Sequence, residues 1–429
     1  MTLDPVHFDG ITRLARRVSR TVDERDQQAF AETVWEEFLD PLRADGRTVL
    51  EPLDEQRLRA APIEEIALRE RTYPTSHGLD SGTINPTTFK NGLVVDLAQA
   101  AMSATPSDLE LHRARTVVKT VHTTESGVEV DDGWTRWDEG YTTSRILRAP
   151  PVDRFEEAVV HELSLYLAES QHALAHADAV SDLFVLDGPI YPKGLLNWTD
   201  RSPELADLLY TEESPRSVIE NYVRLVETFA ERGVPLVGFV KNPTTKAITR
   251  TLRDRGREAP WVNDTALFTR LLERVERVER VDRHGERTAA RERRTDELTF
   301  TNWFRSRGGA DRFVSAGEDL FGIDRERDPA DYEVTFFALY DPRDDLLYRV
   351  EAPHWVTRDA DRREALALHV VSEVAAERGP PEAVSRADEL ARIDRASTRS
   401  IRERMEVAFD ADRLVGYDDK RWPADPGGY

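Results

Sequence analysis

Two aspartates stand where short apolar runs break off. Asp187 closes Leu183-Phe184-Val185-Leu186 and precedes Gly188-Pro189, and upstream Asp80 sits within His77-Gly78-Leu79-Asp80-Ser81-Gly82-Thr83. An acid before Gly-Pro can simply open a turn. A second acid in the same kind of place favours a ligand-binding reading. Converging carboxylates suit a hard divalent cation such as Mn²⁺ or Mg²⁺, and a pair of such ions can activate water and stabilise the leaving oxygen of a phosphodiester. The chain contains no cysteine, which excludes thiolate metal sites, disulfides and a cysteine nucleophile. Lys241 follows the apolar run Val234 to Val240, placed to hold a phosphate or an attacking water; a lysine snorkelling from a strand end is the plain alternative. Asp96, after Leu93-Val94-Val95, is a reserve acid expected to face solvent or a turn.

The elements that must position these groups follow from periodicity. Residues 5 to 70 are predicted to be helical, with Phe8, Ile11, Leu14 and Val18 and then Phe30, Val34, Phe38 and Leu42 at three- and four-residue steps. They carry no cluster of unusual polar residues and suit packing or partner contact. From His77 the pattern changes to three strands, around 78–84, 92–102 and 114–130, rich in Val and Thr and broken by Asn-Pro, Asn-Gly and Ser-Gly. A helix is expected over about 152–177, then the buried strand ending at Asp187, a second amphipathic helix over 218–230 closed by Gly233, and a strand over 234–240. The segment from 270 to 330 is dense in alternating charge with Leu271, Leu272, Val275, Val278 and Val281 at helical steps, and is predicted to be a charged helical insertion. Within it Trp303 and Phe304 are expected to pack rather than to stack on bases. The chain thus divides into an N-terminal helical region (1–70), a core (71–395) and a tail (396–429) forming a short helix and a loose end.

The order strand, strand, strand, helix, strand, helix, strand calls for an α/β fold, a mixed sheet with helices packed on it. It is also the order of the ribonuclease H-like fold, whose nucleases carry carboxylates on the first strand, the first helix and the fourth strand. Asp80 and Asp187 occupy two of these points. Glu162 and Glu169 compete for the third, seven residues apart on one helix face. Glu169 is preferred, because the 18 residues to Asp187 suffice to finish the helix and return through the strand. In this reading Asp80 bridges the metals, with Asp187 and Glu169 on either side.

Taken together, His77 to Thr83, the acid-bearing helix, Leu183 to Ile190 and Gly238-Phe239-Val240-Lys241 resemble the NurA nucleases of archaea. Tyr348 to Pro353 and Ala387 to Ile393 are similar to that family's C-terminal blocks, and the likeness covers residues 70 to 395. The resemblance implies a homodimer that works with a HerA-type hexameric translocase on DNA ends, as a 5′ to 3′ exonuclease with single-strand endonuclease activity as a further expectation, in double-strand-break repair. It also implies a fourth ligand near the C-terminus, where the family often has histidine and this chain has Asp388; His354, in Glu351-Ala352-Pro353-His354-Trp355, is the alternative. The competing readings are a ribonuclease H-like nuclease for RNA or branched DNA, and a scaffold that has lost its site.

Composition sets the solvent. Of 429 residues 81 are acidic and 59 basic, for a net charge of −22, and only six residues are lysine. That acid-rich, lysine-poor surface resembles proteins of extremely halophilic archaea. In concentrated salt the Debye length shrinks to roughly 3 Å, so the net charge does not argue against DNA, and DNA contacts must not depend mainly on counterion release. No apolar run reaches membrane-spanning length and no leader is evident, so a cytoplasmic location is expected.

Overall fold

The computed structural model describes residues 5–19, 24–125, 127–281 and 287–415. Five strands form the centre: β1 (Ser76–Thr88), β2 (Val94–Thr105), β3 (Arg115–His122), β4 (Leu183–Asp187) and β5 (Leu236–Val240). β1 pairs antiparallel with β2, and β2 with β3; on the other side β1 runs parallel to β4, and β4 to β5. The spatial order β3-β2-β1-β4-β5 is that of a ribonuclease H-like sheet, as the sequence predicts. Beyond β5 come β6 (Val334–Asp341) and β7 (Leu346–Pro353), with β7 antiparallel to β5, and short strands extend both edges to 14 in all.

Helices cover both faces. On one lies α1 (Glu156–Ala175), beside α2 (Glu213–Arg232); on the other lies α3 (Glu382–Ala391), followed by α4 (Arg395–Ala408). The main core joins Val159, Leu163 and Leu167 of α1 and Val223 and Phe229 of α2 to Phe184, Val185 and Val237 of the strands. β4 and β5 are apolar almost throughout because helices bury both their faces.

Two glycines of β1 decide how close α3 can come. A Cβ at Gly78 would collide with the Ala383 carbonyl, and one at Gly82 with that of Ala391. Gly78 and Gly82 share a face of β1 with Asp80 between them, so the glycines flanking the acid exist to let α3 lie against its strand.

Two sequence expectations are corrected. The region before β1 is not wholly helical: after Pro5–Ser19 and Glu24–Phe38 the chain forms strands Leu42–Ala44, Arg47–Pro52 and Leu58–Pro62. Pro41 blocks continuation of the helix, and Leu42 and Leu50 are buried with Val34, Trp35 and Phe304 in a second core. The charged segment is likewise not helical. Val275–Val281 and Arg287–Arg293 form an antiparallel pair in register from Val275↔Arg293 to Val281↔Arg287, and Glu297–Thr301 and Phe304–Ser306 join the main sheet. Valine every third residue fits a helix equally well, but its branched side chain favours a strand. Trp303 and Phe304 are buried, as expected. The tail does form a helix, α4, while residues 416–429 lie outside the described part.

Candidate metal centre

The pairing between β1 and β4 ends at Leu79↔Leu186, one residue before both aspartates. β4 then turns away, whereas β1 runs on. Asp80 and Asp187 therefore stand side by side at the mouth of a notch, on the sheet face of Gly78, Gly82 and α3. Ser81, next along β1, faces the other way, and its hydroxyl donates to Glu169 Oε1 on α1 at 2.6 Å. Glu169 thus reaches the notch from one face. Asp388, on α3, reaches it from the other and adds to the negative field on Asp187.

The remaining contacts hold these acids in place. Lys241 Nζ donates to Asp187 Oδ2 at 2.6 Å, the Ser81 amide to Asp80 Oδ1 at 2.7 Å, and Tyr222 OH to Glu169 Oε2 at 3.0 Å. Asp388 pairs with Arg392 at 2.9 Å. The turn leaving Asp187 is pinned from behind, where the Ile190 amide donates to the buried carboxylate of Glu351 at 3.2 Å. A cavity of about 170 Å³ opens beside the acids, lined by Leu79, Leu165, Tyr166, Glu169, Asp187 and Pro189.

Burial and mutual repulsion resist ionisation here. Burial first, then Asp187, pushes the Asp80 carboxyl up to about 9. Burial pushes Glu169 up to about 7 against the hydrogen bonds from Ser81 and Tyr222. It also raises Asp187, which Lys241 partly offsets. Among the described residues no three His, Asp or Glu side chains form a ready-made metal cage. Asp80 and Asp187 lie close enough to share a hydrogen bond, while Glu169 and Asp388 turn to the partners just named, since like charges have no reason to converge further without a cation. The donors nevertheless fit a hard divalent ion: they are all carboxylate oxygens, supplied by four elements around one opening, in a site that favours added positive charge.

The structure brings Asp80, Glu169, Asp187, Lys241 and Asp388 together and separates the alternatives. Glu162 accepts from Trp198 Nε1 and stands 3.8 Å from Arg201, so the helix acid facing the notch is Glu169. His354 does not complete the site. It follows β7 at the end of the sheet away from Lys241, beside Arg305, and burial and that arginine push its imidazole down to about 4. Asp96 is not at a solvent-facing turn: it is buried within β2 with His161 Nδ1 3.3 Å from its Oδ1. Sequence reasoning missed Tyr222 and Ser81. A tyrosine on the apolar stripe Val218, Ile219, Tyr222, Val223 and Val226 carries the one signal available, since its buried hydroxyl must find a partner.

The family model of the NurA domain matches residues 74–393, which include all five of these residues. The chain belongs to the NurA family. This is a family of nucleases, so the chain is a nucleic-acid hydrolase by membership. Among solved structures it is similar to the NurA nuclease from Sulfolobus solfataricus, with 10% identity over 95% of this chain and 98% of that one and a TM-score of 0.48. It is also similar to a NurA bound to dAMP and manganese, with 11% identity, 98% and 100% coverage and a TM-score of 0.42. A third is NurA with manganese, with 10% identity, 81% and 95% coverage and a TM-score of 0.39. No curated protein matches the chain at a significant level. No helix among the described residues is long and apolar enough to cross a membrane.

Proposed function

We propose that this NurA-family chain is a divalent-metal-dependent DNA nuclease whose centre is built by Asp80, Asp187, Glu169 and Asp388. The observation that carries this reading is the gathering of carboxylates from β1, β4, α1 and α3 at the notch where β4 leaves β1, with Asp80 and Glu169 held well above their ordinary range. Asp80 and Asp187, adjacent on neighbouring strands, would hold Mn²⁺ or Mg²⁺, with Glu169 and Asp388 contributing from the two faces. Two such ions supply an activated water and charge stabilisation at the leaving oxygen.

The protein's own groups do the rest. Ser81 and Tyr222 fix the Glu169 carboxylate, and the Ser81 amide orients Asp80. Lys241 neutralises Asp187 while the site is empty of substrate; its ammonium lies at the opening, where it meets a phosphate oxygen when DNA arrives. The wall formed by Leu79, Leu165 and Pro189 limits water on one side.

The same reading assigns the enzyme to DNA-end processing as a 5′ to 3′ exonuclease, working as a homodimer with a HerA-type hexameric translocase in double-strand-break repair. The first helix supports a partner surface: Phe8, Ile11 and Leu14 are all more than half exposed on one face of Pro5–Ser19. The test is hydrolysis of end-labelled single- and double-stranded DNA in concentrated KCl with Mn²⁺, Mg²⁺ or EDTA. Cleavage that requires the metal supports the proposal and the label gives the polarity. Cleavage undiminished in EDTA refutes it, and metal-dependent release from the 3′ end refutes the polarity.

A further inference from the structure

The notch does not end at the carboxylates. From Ser81 to Thr87 the edge of β1 opposite β2 pairs with no strand among the described residues, because β4 has turned away; at Thr88–Lys90 the chain returns, with the Leu414 amide donating to the Thr88 carbonyl. Seven strand residues make an open edge of roughly 20 Å. It contains Pro86 and a register shift between Ile84 and Thr87, features that keep an edge from pairing with another sheet.

Basic side chains lie near this edge on both faces of the sheet: His161 over the neighbouring strand β2, and arginines of α4 on the opposite face. On the α1 side, His161, Leu165 and Glu169 follow one another at four-residue steps, so the stripe that lines the cavity continues outward to His161. The His161 ring is half-buried and its Nδ1 is held by Asp96, while Nε2 has no partner among the described residues. On the other side, α4 carries Arg395, Arg399 and Arg402 at four- and three-residue steps on one face. Arg402 Nη2 donates to the Asn85 carbonyl on β1 at 3.4 Å, which places that face over the open edge. Arg395 and Arg399 are exposed and have no acidic partner among the described residues. The acids of the helix turn elsewhere: Glu403 and Glu406 line a separate groove beside Lys90. In a chain of net charge −22, a local basic rim continuous with a nuclease centre calls for a polyanion.

We propose that the open edge of β1 between Ser81 and Thr87, with Arg395 and Arg399 beside it on one face and His161 one strand in on the other, is the track that holds the sugar–phosphate backbone of a single DNA strand several nucleotides away from the scissile bond. The inference rests on the nuclease reading for its substrate. Backbone amides of a strand edge and arginine hydrogen bonds both read phosphates without regard to sequence; here the Ser81 amide is taken by Asp80 and Pro86 has none, so the arginines carry most of the contact. Such short-range contacts keep their strength in concentrated salt, where counterion release contributes little.

The test separates binding from hydrolysis. Anisotropy of end-labelled oligothymidylates of increasing length, in EDTA and concentrated KCl, is compared for wild type, the double variant Arg395→Gln/Arg399→Gln, His161→Gln and the control Arg43→Gln, an exposed arginine on a remote strand of the sheet. Wild-type affinity is expected to rise with length. The double variant weakens binding of the longest strand about tenfold, His161→Gln about threefold, and both lose most of the length dependence, while Arg43→Gln keeps it. Unchanged long-strand affinity in the double variant, or equal weakening for the shortest and longest strands, overturns the track. The same proteins assayed with Mn²⁺ report on the nuclease reading separately: a wild type that binds with arginine-dependent length sensitivity but never cuts would sink that reading and leave the track standing.

Discussion

At the scale of single residues, the notch gathers carboxylates that resist ionising together. Asp80 and Glu169 bind protons more tightly in the folded chain than in the unfolded one. Without metal their contribution to stability is therefore lost as pH rises from the ordinary carboxylate range, about 4, through about 7 for Glu169 and about 9 for Asp80. Asp80→Asn removes the carboxyl that must take up a proton on folding at mildly alkaline pH. It is expected to raise metal-free stability at pH 8 by about 1–2 kcal/mol, measured by denaturant unfolding, and to lower cleavage by at least about a hundredfold. A loss of stability in the Asp80→Asn variant would show that Asp80 is structural. Lys241 makes a contrasting prediction. Its ammonium repels a cation from Asp187, so Lys241→Gln tightens Mn²⁺ binding yet lowers the rate of hydrolysis about tenfold or more, and calorimetry and kinetics together would expose a variant in which both move the same way.

At the scale of elements, the acids are useful only because α3 can approach β1. Gly82→Ala places a methyl against the Ala391 carbonyl and pushes back the helix that carries Asp388. The expected cost is about 1–3 kcal/mol in unfolding free energy together with weaker metal binding, and an unchanged melting curve would show that α3 is free to shift. This scale also shows what the sequence can disclose. β4 and β5 are legible as continuous apolar runs, and α1 and α2 by their stripes, so the order of the core and the places of Asp80, Glu169 and Asp187 follow from local pattern. The choice of Glu169 over Glu162 follows from the chain needed to return to Asp187, and the hydrogen bond from Trp198 to Glu162 supplies a physical reason of its own. What local pattern cannot show is pairing between distant segments. Arg47–Pro52 becomes a strand because Phe304–Ser306, some 250 residues on, supplies its edge, and Leu42–Ala44 pairs with its other side. Val275, Val278 and Val281 satisfy a helical period, and the partner strand decides otherwise. His354 is available beside Asp388 as far as local pattern goes, yet β7 carries it to the far end of the sheet.

At the scale of the whole molecule, one 14-stranded sheet ties the N-terminal segment to the core that carries the site. Leu58–Pro62 pairs with Glu297–Thr301, so removing residues 1–60 is expected to abolish cooperative folding. Removing residues 1–19 takes away only the helix with exposed Phe8, Ile11 and Leu14; it should leave the melting transition in place and abolish self-association or partner binding in sedimentation experiments. Retention of both associations would move the partner surface elsewhere. The proposed nuclease function depends on a divalent cation binding at the notch between β1 and β4, and the most direct measurement is calorimetric titration of the metal-free protein with Mn²⁺ in two buffers of different ionisation enthalpy. The account predicts saturable binding with proton release from the carboxylates, both lost in Asp80→Asn. Binding that is identical in wild type and Asp80→Asn, or that releases no protons near neutral pH, would contradict it.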